Sequence, residues 1–283
     1  MSTALSFPYS VLILTKDEEI NIGDCLRSVP PGVDTCVLDS MSTDRTAEIA
    51  RSLGATVCFR AFDNYAAQRN YGLQQISYRT GWVLMLDADE RLTPELHEEI
   101  VARLANAGAG ASLFRMRRKD MLMGRWLRRS SGYPTWFGRL ARLGAVRVER
   151  EINEEFVTDG QVLYLDGHLI HHPFNKGVAY WIERHNRYST MEATTLLQES
   201  RGDIRWSELF SGDPAIRRKW LKQIAYRLPA RPAMIFLYLY IVRGGCFDGV
   251  AGFNFCKLRF MYELMINAKM DEIRHARTIN PVD

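Results

Sequence analysis

Four short apolar runs, each followed by a stretch of helical periodicity, constrain this chain more than any other feature. YSVLILT (9–15), VDTCVLDS (33–40), ATVCF (55–59) and GWVLMLDADE (81–90) have the length and apolar content of buried strands. After the first, Ile20, Cys25, Leu26 and Val29 recur at near-helical spacing. TDRTAEIARSLG (43–54) carries capping residues at its start and a glycine beyond its end, and NYAAQRNYGLQQI (64–76) returns to helical periodicity. Thr93 and Pro94 suit the N-cap and first position of a helix reaching about Leu104. Apolar strands alternating with helices predict an α/β fold with a mainly parallel central sheet covered on both faces. Ligands of such sheets bind beyond the C-terminal strand ends, where Thr15, Asp39 and Asp87 fall.

Beyond residue 112 the pattern changes. SLFRMRRKD, RVEREINEEF (147–156) and QVLYLDGHLIHH (161–172) read as extended segments, with Gly160 and Gly167 beside or inside the last. A helix is expected over Val178 to about Leu197, followed by an apolar run AMIFLYLYIV (233–242), a glycine-rich turn RGGCFDGVAG (243–252) and an amphipathic stretch FNFCKLRFMYELMINAKM (253–270). The apolar run is ten residues long, and a helix crossing a bilayer needs about 20. MSTALSFPYS lacks the basic opening and sustained apolar core of a secretory signal. Five scattered cysteines without CxxC spacing fit a reducing compartment better than a disulfide framework or zinc site.

With 47 % hydrophobic residues among 283, the chain can bury a substantial core. Its formal charge of +4 says little about partners, but the basic residues cluster in RMRRKD (115–120), RWLRR (125–129) and RRKWLKQ (217–223). Nucleic acid is disfavoured, because no known nucleic-acid-binding motif accompanies these clusters and the best constellation of side chains is acidic.

That constellation is Asp87-Ala88-Asp89. Two carboxylates flanking a small residue at a strand end suit Mg2+ or Mn2+ when substrate phosphates complete the coordination. Asp39 opens a second polar turn, DSMSTD, and its carboxylate could accept hydrogen bonds from a base or ribose. Thr43 and Asp44 serve equally as helix caps, and Glu18 and Glu19 as first-turn acids favoured by the helix dipole. The missing GxGxxG after the first strand argues against a nicotinamide-binding unit.

Taken in order and spacing, LTKDEE, VLDSMSTDRTAEIA, NYAAQRNYGL and WVLMLDADERL resemble the nucleotide-sugar-binding half of an inverting GT-A glycosyltransferase of family 2. More narrowly the chain resembles lipopolysaccharide core β-glycosyltransferases of the WaaE/KdtX type, through YLYIVRGGCFDGVAGFNFCKLRFMYE near its end. The resemblance implies a GT-A domain over residues 1–200, with the donor site mainly in 9–115 and the acceptor side in 116–200. A helical, amphipathic C-terminal extension would follow over 201–283. It gives Thr15, Lys16, Glu18, Asp39, Gln68, Arg69, Asn70, Asp87 and Ala88 to the donor, a hexose carried by a nucleotide, UDP by expectation. Asp87, Asp89 and His171 become the groups for Mn2+ or Mg2+, with a structural hydrogen-bonding role as the alternative for His171. Tyr133 and Arg139 fall on the acceptor side, Arg139 with a donor fork suited to a phosphorylated or acidic acceptor.

Inversion in one displacement needs a base for the acceptor hydroxyl. Where related sequences carry His-Glu this chain has Asn153-Glu154, so Glu154 is the expected base and Glu155 the alternative. The resemblance implies a lipopolysaccharide-core or lipid-linked acceptor. A cytoplasmic protein, peripheral on the inner face of the cytoplasmic membrane, would follow. Phe253, Phe255, Leu258, Met261, Tyr262 and Met265 form an apolar face that suits an anionic membrane surface, with a homo-oligomer or internal packing as the other use. A nucleotidyltransferase and a non-catalytic sugar-nucleotide or membrane-binding module are the competing functions.

Overall fold

The computed structural model describes residues 7–149, 155–199 and 230–279. The chain divides into two compact units, Met1–Met121 with Gly132–Asn175, and Leu122–Ser131 with Lys176–Asp283. The helix expected over Val178 to about Leu197 falls in the second unit.

In the first unit, β1 (Ser10–Thr15) runs parallel to β2 (Thr35–Asp39) on one side and β4 (Trp82–Asp87) on the other, and β3 (Thr56–Phe59) extends the sheet beyond β2. Past β4 come β8 (Trp136–Arg142), β6 (Ala111–Leu122), β11 (Gln161–His171) and β5 (Glu90–Arg91), giving the order β3-β2-β1-β4-β8-β6-β11-β5. β8 is antiparallel to both its neighbours and β5 is antiparallel to β11, so the sheet is mixed, and parallel throughout β3-β2-β1-β4. β9 (Arg147–Glu149) and β10 (Glu155–Val157) form a separate antiparallel pair, and β7 (Arg125–Trp126) lies in the second unit.

Both faces of β1 and β4 are apolar because both are covered. Val11, Ile13, Leu84 and Leu86 join a core with Ile22, Cys25 and Leu26 of α1 (Glu19–Ser28) and Leu96, Ile100 and Leu104 of α4 (Pro94–Ala105). Leu12, Val83 and Met85 face the other way, with Ala66 and Leu73 of α3 (Tyr65–Gln75). Strand side chains alternate between faces, so a strand buried on both sides loses the alternation that would mark a half-exposed one. Helix starts follow sequence: Thr93 accepts from the Leu96 amide and Asn64 from the Ala67 amide. α2 (Thr46–Ser52) completes the βα units.

The second unit is helical. α5 (Gly177–Glu199) buries Ala193, Leu196 and Leu197 with Ile266 and Met270 of α7 (Gly249–Ile279). α6 (Arg231–Leu237) continues into a π-helical turn, Tyr238–Val242, and a 3-10 turn, Gly245–Asp248, leads into α7. On the amphipathic face expected to meet a membrane, Phe253 is 40 % exposed. Phe253 and Phe260 pack on Phe236, and Tyr240 on Phe253, with ring centroids 6.2, 6.3 and 5.5 Å apart, while Phe255, Leu258, Met261, Tyr262 and Met265 are half-buried. The basic cluster 217–223 lies outside the described residues. Among these, no single helix is long and apolar enough to cross a membrane; Arg231–Val242 and Gly245–Ala276, bent by 71°, meet that length and composition only as a pair.

Candidate active site

The register of β1 sets the site. Thr15 lies opposite Asp39 and Leu14 opposite Asp87, so three strand ends present their polar turns in one row. The first two turns are woven together. Asp39 is fully buried, its Oδ2 accepting from Thr15 Oγ1 at 2.8 Å and Ser42 Oγ at 2.6 Å, its Oδ1 from the Ser42 amide at 2.7 Å. Asp17 accepts from the Thr43 amide at 2.7 Å, Thr46 Oγ1 from the Glu18 amide at 2.7 Å, and Asp44 from the Glu19 amide at 3.0 Å. Lys16, whose side chain is half-exposed, donates from Nζ to the Met41 carbonyl, and Glu18 accepts from Asn21. The charge crowded between β1 and α1 thus satisfies amides left without helical partners at two successive helix starts. Asp39, expected to read the base or ribose, shapes this turn from within.

The third turn carries Asp87, Ala88 and Asp89. Asp87 Oδ1 meets Arg69 at 2.8 Å and its Oδ2 meets Arg139 at 2.7 Å. Burial raises its pKa, but the Arg139 and Arg69 guanidinium charges more than reverse that, holding the carboxyl well below the usual carboxylate range. Arg139 also meets Glu90 at 2.7 Å, Glu90 meets Arg118 at 3.5 Å, Arg118 meets Asp120 at 3.1 Å, Asp120 meets His171 Nδ1 at 2.7 Å, and His171 Nε2 meets Asp89 at 3.3 Å. Opposite charges alternate along one continuous path from Arg69 to Asp89. Strand pairing builds it: His171 on β11 lies opposite Asp120 of β6 and Glu90 of β5. Burial and Arg118 lower the His171 pKa, yet Asp89 and Asp120 outweigh them and lift it to about 9.

β11 reaches this position through an irregularity. Its pairing with β6 shifts between Tyr164 and His168, and Glu99 of α4 accepts from the Asp166 and Gly167 amides at 2.9 and 2.8 Å. A Cβ on Gly167 would stand 2.9 Å from a Leu96 methyl carbon, so only glycine lets the helix close on this bulge. At the strand's end the His172 amide donates to the Asp89 carbonyl at 2.8 Å, fixing the DAD turn.

The other expected residues have partners within the protein. Arg139 is buried, its guanidinium compensating the Asp87 and Glu90 carboxylates. Asn70 bonds both the amide and the carbonyl of Val148, at 2.9 and 2.8 Å, which clips α3 to β9. Gln68 is buried, donating to Ser40 Oγ at 3.0 Å and accepting from Arg60. Ala88 is buried beneath the turn. Tyr133 has the Arg117 guanidinium 5.9 Å from its ring centre. Glu155 is exposed in β10, and Glu154 lies outside the described residues.

Sequence reasoning passed over Glu90, Arg118 and Asp120. Glu90 follows DAD directly, and the other two sit in RMRRKD; alternation on β6 puts Arg118 and Asp120 on one face, a signal that reading the segment as a basic cluster concealed.

Among the described residues no three His, Cys, Asp or Glu side chains converge as a complete metal site. Asp89 and His171 are the pair nearest to one, and Asp87 faces two arginines instead. Two protein groups suit an ion that arrives with a diphosphate.

Residues 10–152 match the family described as Glycosyl transferase family 2. Among curated proteins, the lipopolysaccharide core biosynthesis glycosyltransferase LpsC of Rhizobium meliloti is 27 % identical over 97 % of this chain and 95 % of its own. An uncharacterized glycosyltransferase of Rickettsia bellii is 39 % identical over 35 % of this chain and 34 % of its own, so the chain spans about a third of that relative. A structure of glucosyl-3-phosphoglycerate synthase from Mycobacterium tuberculosis with Mn2+, UDP and glucosyl-3-phosphoglycerate is 25 % identical over 40 % of this chain and 45 % of that one, at a TM-score of 0.35, too low to carry an argument. With half the chain matched, and the matched half holding the three strand-end turns and the DAD motif, the protein belongs to glycosyl transferase family 2 and is a glycosyltransferase.

Proposed function

We propose that this enzyme transfers a hexose from a UDP-sugar, with inversion, to a lipopolysaccharide-core or lipid-linked acceptor. The observation that carries the reading is the Asp89–His171 pair at the rim where β1, β2 and β4 end. The UDP donor rests on the resemblance of the strand-end motifs, and the acceptor on the kinship to LpsC along nearly the whole chain. An acceptor of that kind puts the enzyme at the inner face of the cytoplasmic membrane.

In this reading Asp89 and His171 hold a divalent cation together with the donor diphosphate. When bound, Mn2+ or Mg2+ supplies positive charge to the departing nucleoside diphosphate. Asp87 serves differently. Clamped by Arg69 and Arg139, it fixes the backbone of the turn so that Asp89 meets the diphosphate without reorganising. Thr15 and Asp39 shape the turn against which the nucleoside lies, and Lys16 stands at its edge. Glu154, or its neighbour Glu155, takes the proton of the acceptor hydroxyl as the new glycosidic bond forms. Replacing each with Gln in turn and comparing transfer rates assigns the base.

Donor hydrolysis tests the proposal without an acceptor. The purified chain is incubated with a panel of nucleotide sugars and Mn2+ or Mg2+, and the products are separated. Release of UDP and free hexose from one donor is expected. Production of pyrophosphate from UTP and a sugar phosphate would instead make the enzyme a nucleotidyltransferase.

A further inference from the structure

In the second unit the apolar surface left outside is not the long helix face but the bend that precedes it. Met234, Leu237, Tyr238 and Ile241 follow one another at helical spacing along α6 and its π turn, and all are exposed. Val242, Phe247 and Val250 continue the patch around the bend at 73, 69 and 68 % exposure, values that a side chain packed in a protein core never reaches. The opposite side of the same helix is occupied, since Phe236 and Tyr240 pack on α7. Contiguous exposed side chains of this size mark an interaction surface rather than scattered surface residues.

Its surroundings decide the partner. The loop Leu122–Ser131 is tied to the bend: buried Asp248 accepts from the Arg129 and Ser130 amides at 3.0 and 2.8 Å and from Ser130 Oγ at 2.8 Å. Arg125 donates to the Phe247 carbonyl at 3.4 Å, and the Arg129 guanidinium lies 4.7 Å from the Phe247 ring centre. Arg125, Arg128, Arg129 and Lys257 are exposed around the apolar patch and Arg243 is half-exposed, with Trp126 half-buried among them. Residues 122–131 and 230–258 contain one acid, Asp248, and it is buried. The backbone of the bend is closely packed, for a Cβ on Gly252 would stand 2.3 Å from the Gly245 carbonyl oxygen. A protein partner would meet this surface with scattered acids; an apolar surface with cations beside Phe247 and Phe253 and no exposed acid in these segments matches the boundary between headgroups and acyl chains of an anionic leaflet.

We infer that the bend Leu237–Val250, with the arginine loop Arg125–Arg129, inserts its apolar side chains into an anionic lipid surface while the cations meet the headgroups. Neither helix alone is long and apolar enough to cross a bilayer, and attachment through surface side chains is peripheral and reversible. The inference rests on the proposed membrane-borne acceptor only for its purpose; the surface that carries it is independent of the catalytic reading.

Full-length protein is mixed with vesicles of neutral lipid alone and of neutral lipid with about a third anionic lipid, at low and high salt, and partition is read by co-sedimentation. Wild type should bind the anionic vesicles and lose part of that binding at high salt. Ile241→Ser, Val242→Ser and Phe247→Ser together should lower the partition coefficient on the order of 100-fold. Arg125→Gln with Arg128→Gln should lower it about fivefold for each cation removed and diminish the salt dependence. The altered side chains are exposed, so unchanged thermal melting shows that both variants are folded. No vesicle binding by wild type, binding unaltered by the apolar triple change, or a concentration-dependent oligomer that the triple change abolishes would each overturn the inference, the last assigning the patch to a second copy of the chain. None of these results depends on donor hydrolysis, whose failure would count against the proposed reaction alone.

Discussion

Glu90 and Glu263 are both buried and both hold arginines, yet they sit in different kinds of surroundings. Glu90, in the first unit, belongs to a path of alternating charges that runs out to Asp89 at the strand ends. Glu263, in the second, meets Arg231 at 2.6 Å and Arg259 at 3.1 Å and joins α6 to α7. A buried ion pair is therefore no mark of a site by itself. What distinguishes the first is continuity with groups at the C-terminal edge of a parallel sheet, where ligands bind.

The largest effect should come from the outer end of that path. Asp89→Asn is expected to reduce transfer on the order of 10²- to 10³-fold and to abolish the dependence of donor binding on Mn2+. Titration of the donor with and without Mn2+ checks it; equal metal dependence in mutant and wild type would detach Asp89 from the ion.

Next, Glu90→Gln and Glu263→Gln should each cost about 3–5 kcal/mol in urea unfolding, since each removes the carboxylate of a buried ion pair. Donor hydrolysis per folded molecule separates them. It should fall for Glu90→Gln, because the Glu90 carboxylate also accepts from the Asp87 amide at 3.0 Å and holds the DAD turn, and remain as in wild type for Glu263→Gln. Equal falls in both would erase the contrast between the units.

The second unit also has its own pH dependence. His185 stacks on Trp181 with ring centroids 3.5 Å apart, and burial, partly offset by the Trp181 carbonyl, lowers its pKa to about 4. The unfolded imidazole titrates near 6.5, so the unfolded chain binds the extra proton between those values. Stability from this group is present above about pH 6.5 and lost as pH falls through about 4, a change of roughly 1–3 kcal/mol. Between about pH 6.5 and 4 the unfolding free energy of wild type should fall by roughly 1–3 kcal/mol relative to that of His185→Phe, which has no imidazole to protonate; parallel curves would assign the acid sensitivity to other groups.

The smallest effect concerns Asn70. If its role is confined to the two bonds with Val148, Asn70→Ala costs about 1–2 kcal/mol of stability and leaves donor affinity unaltered. A raised donor KM with unchanged stability would return Asn70 to the donor site.

Much of this fold was legible because its signals are local. Four strands, the Thr93 cap and the position of DAD at a strand end all follow from residues within one element. The later strands were harder. Beyond β4 the sheet mixes antiparallel pairings with the parallel pair β6–β11, and the β11 bulge at Gly167 answers to α4 rather than to neighbours in sequence. The apolar face of α7 was visible, but periodicity cannot say whether a face meets another helix or solvent, and the aromatic packing of Phe236 and Tyr240 decided that.

Sequence by itself determined that apolar strands would end in acids along one edge, because strand length, helix period and capping are written in neighbouring residues. Only the tertiary structure decided how those acids are compensated. Arg69 and Arg139 reach Asp87 from 18 and 52 residues away, Asp120 meets His171 across 51, and Asn70 meets Val148 across 78. The cost of burying a charge makes each seek a partner, and strand register, set by the packing of the whole sheet, chooses which partner comes within reach.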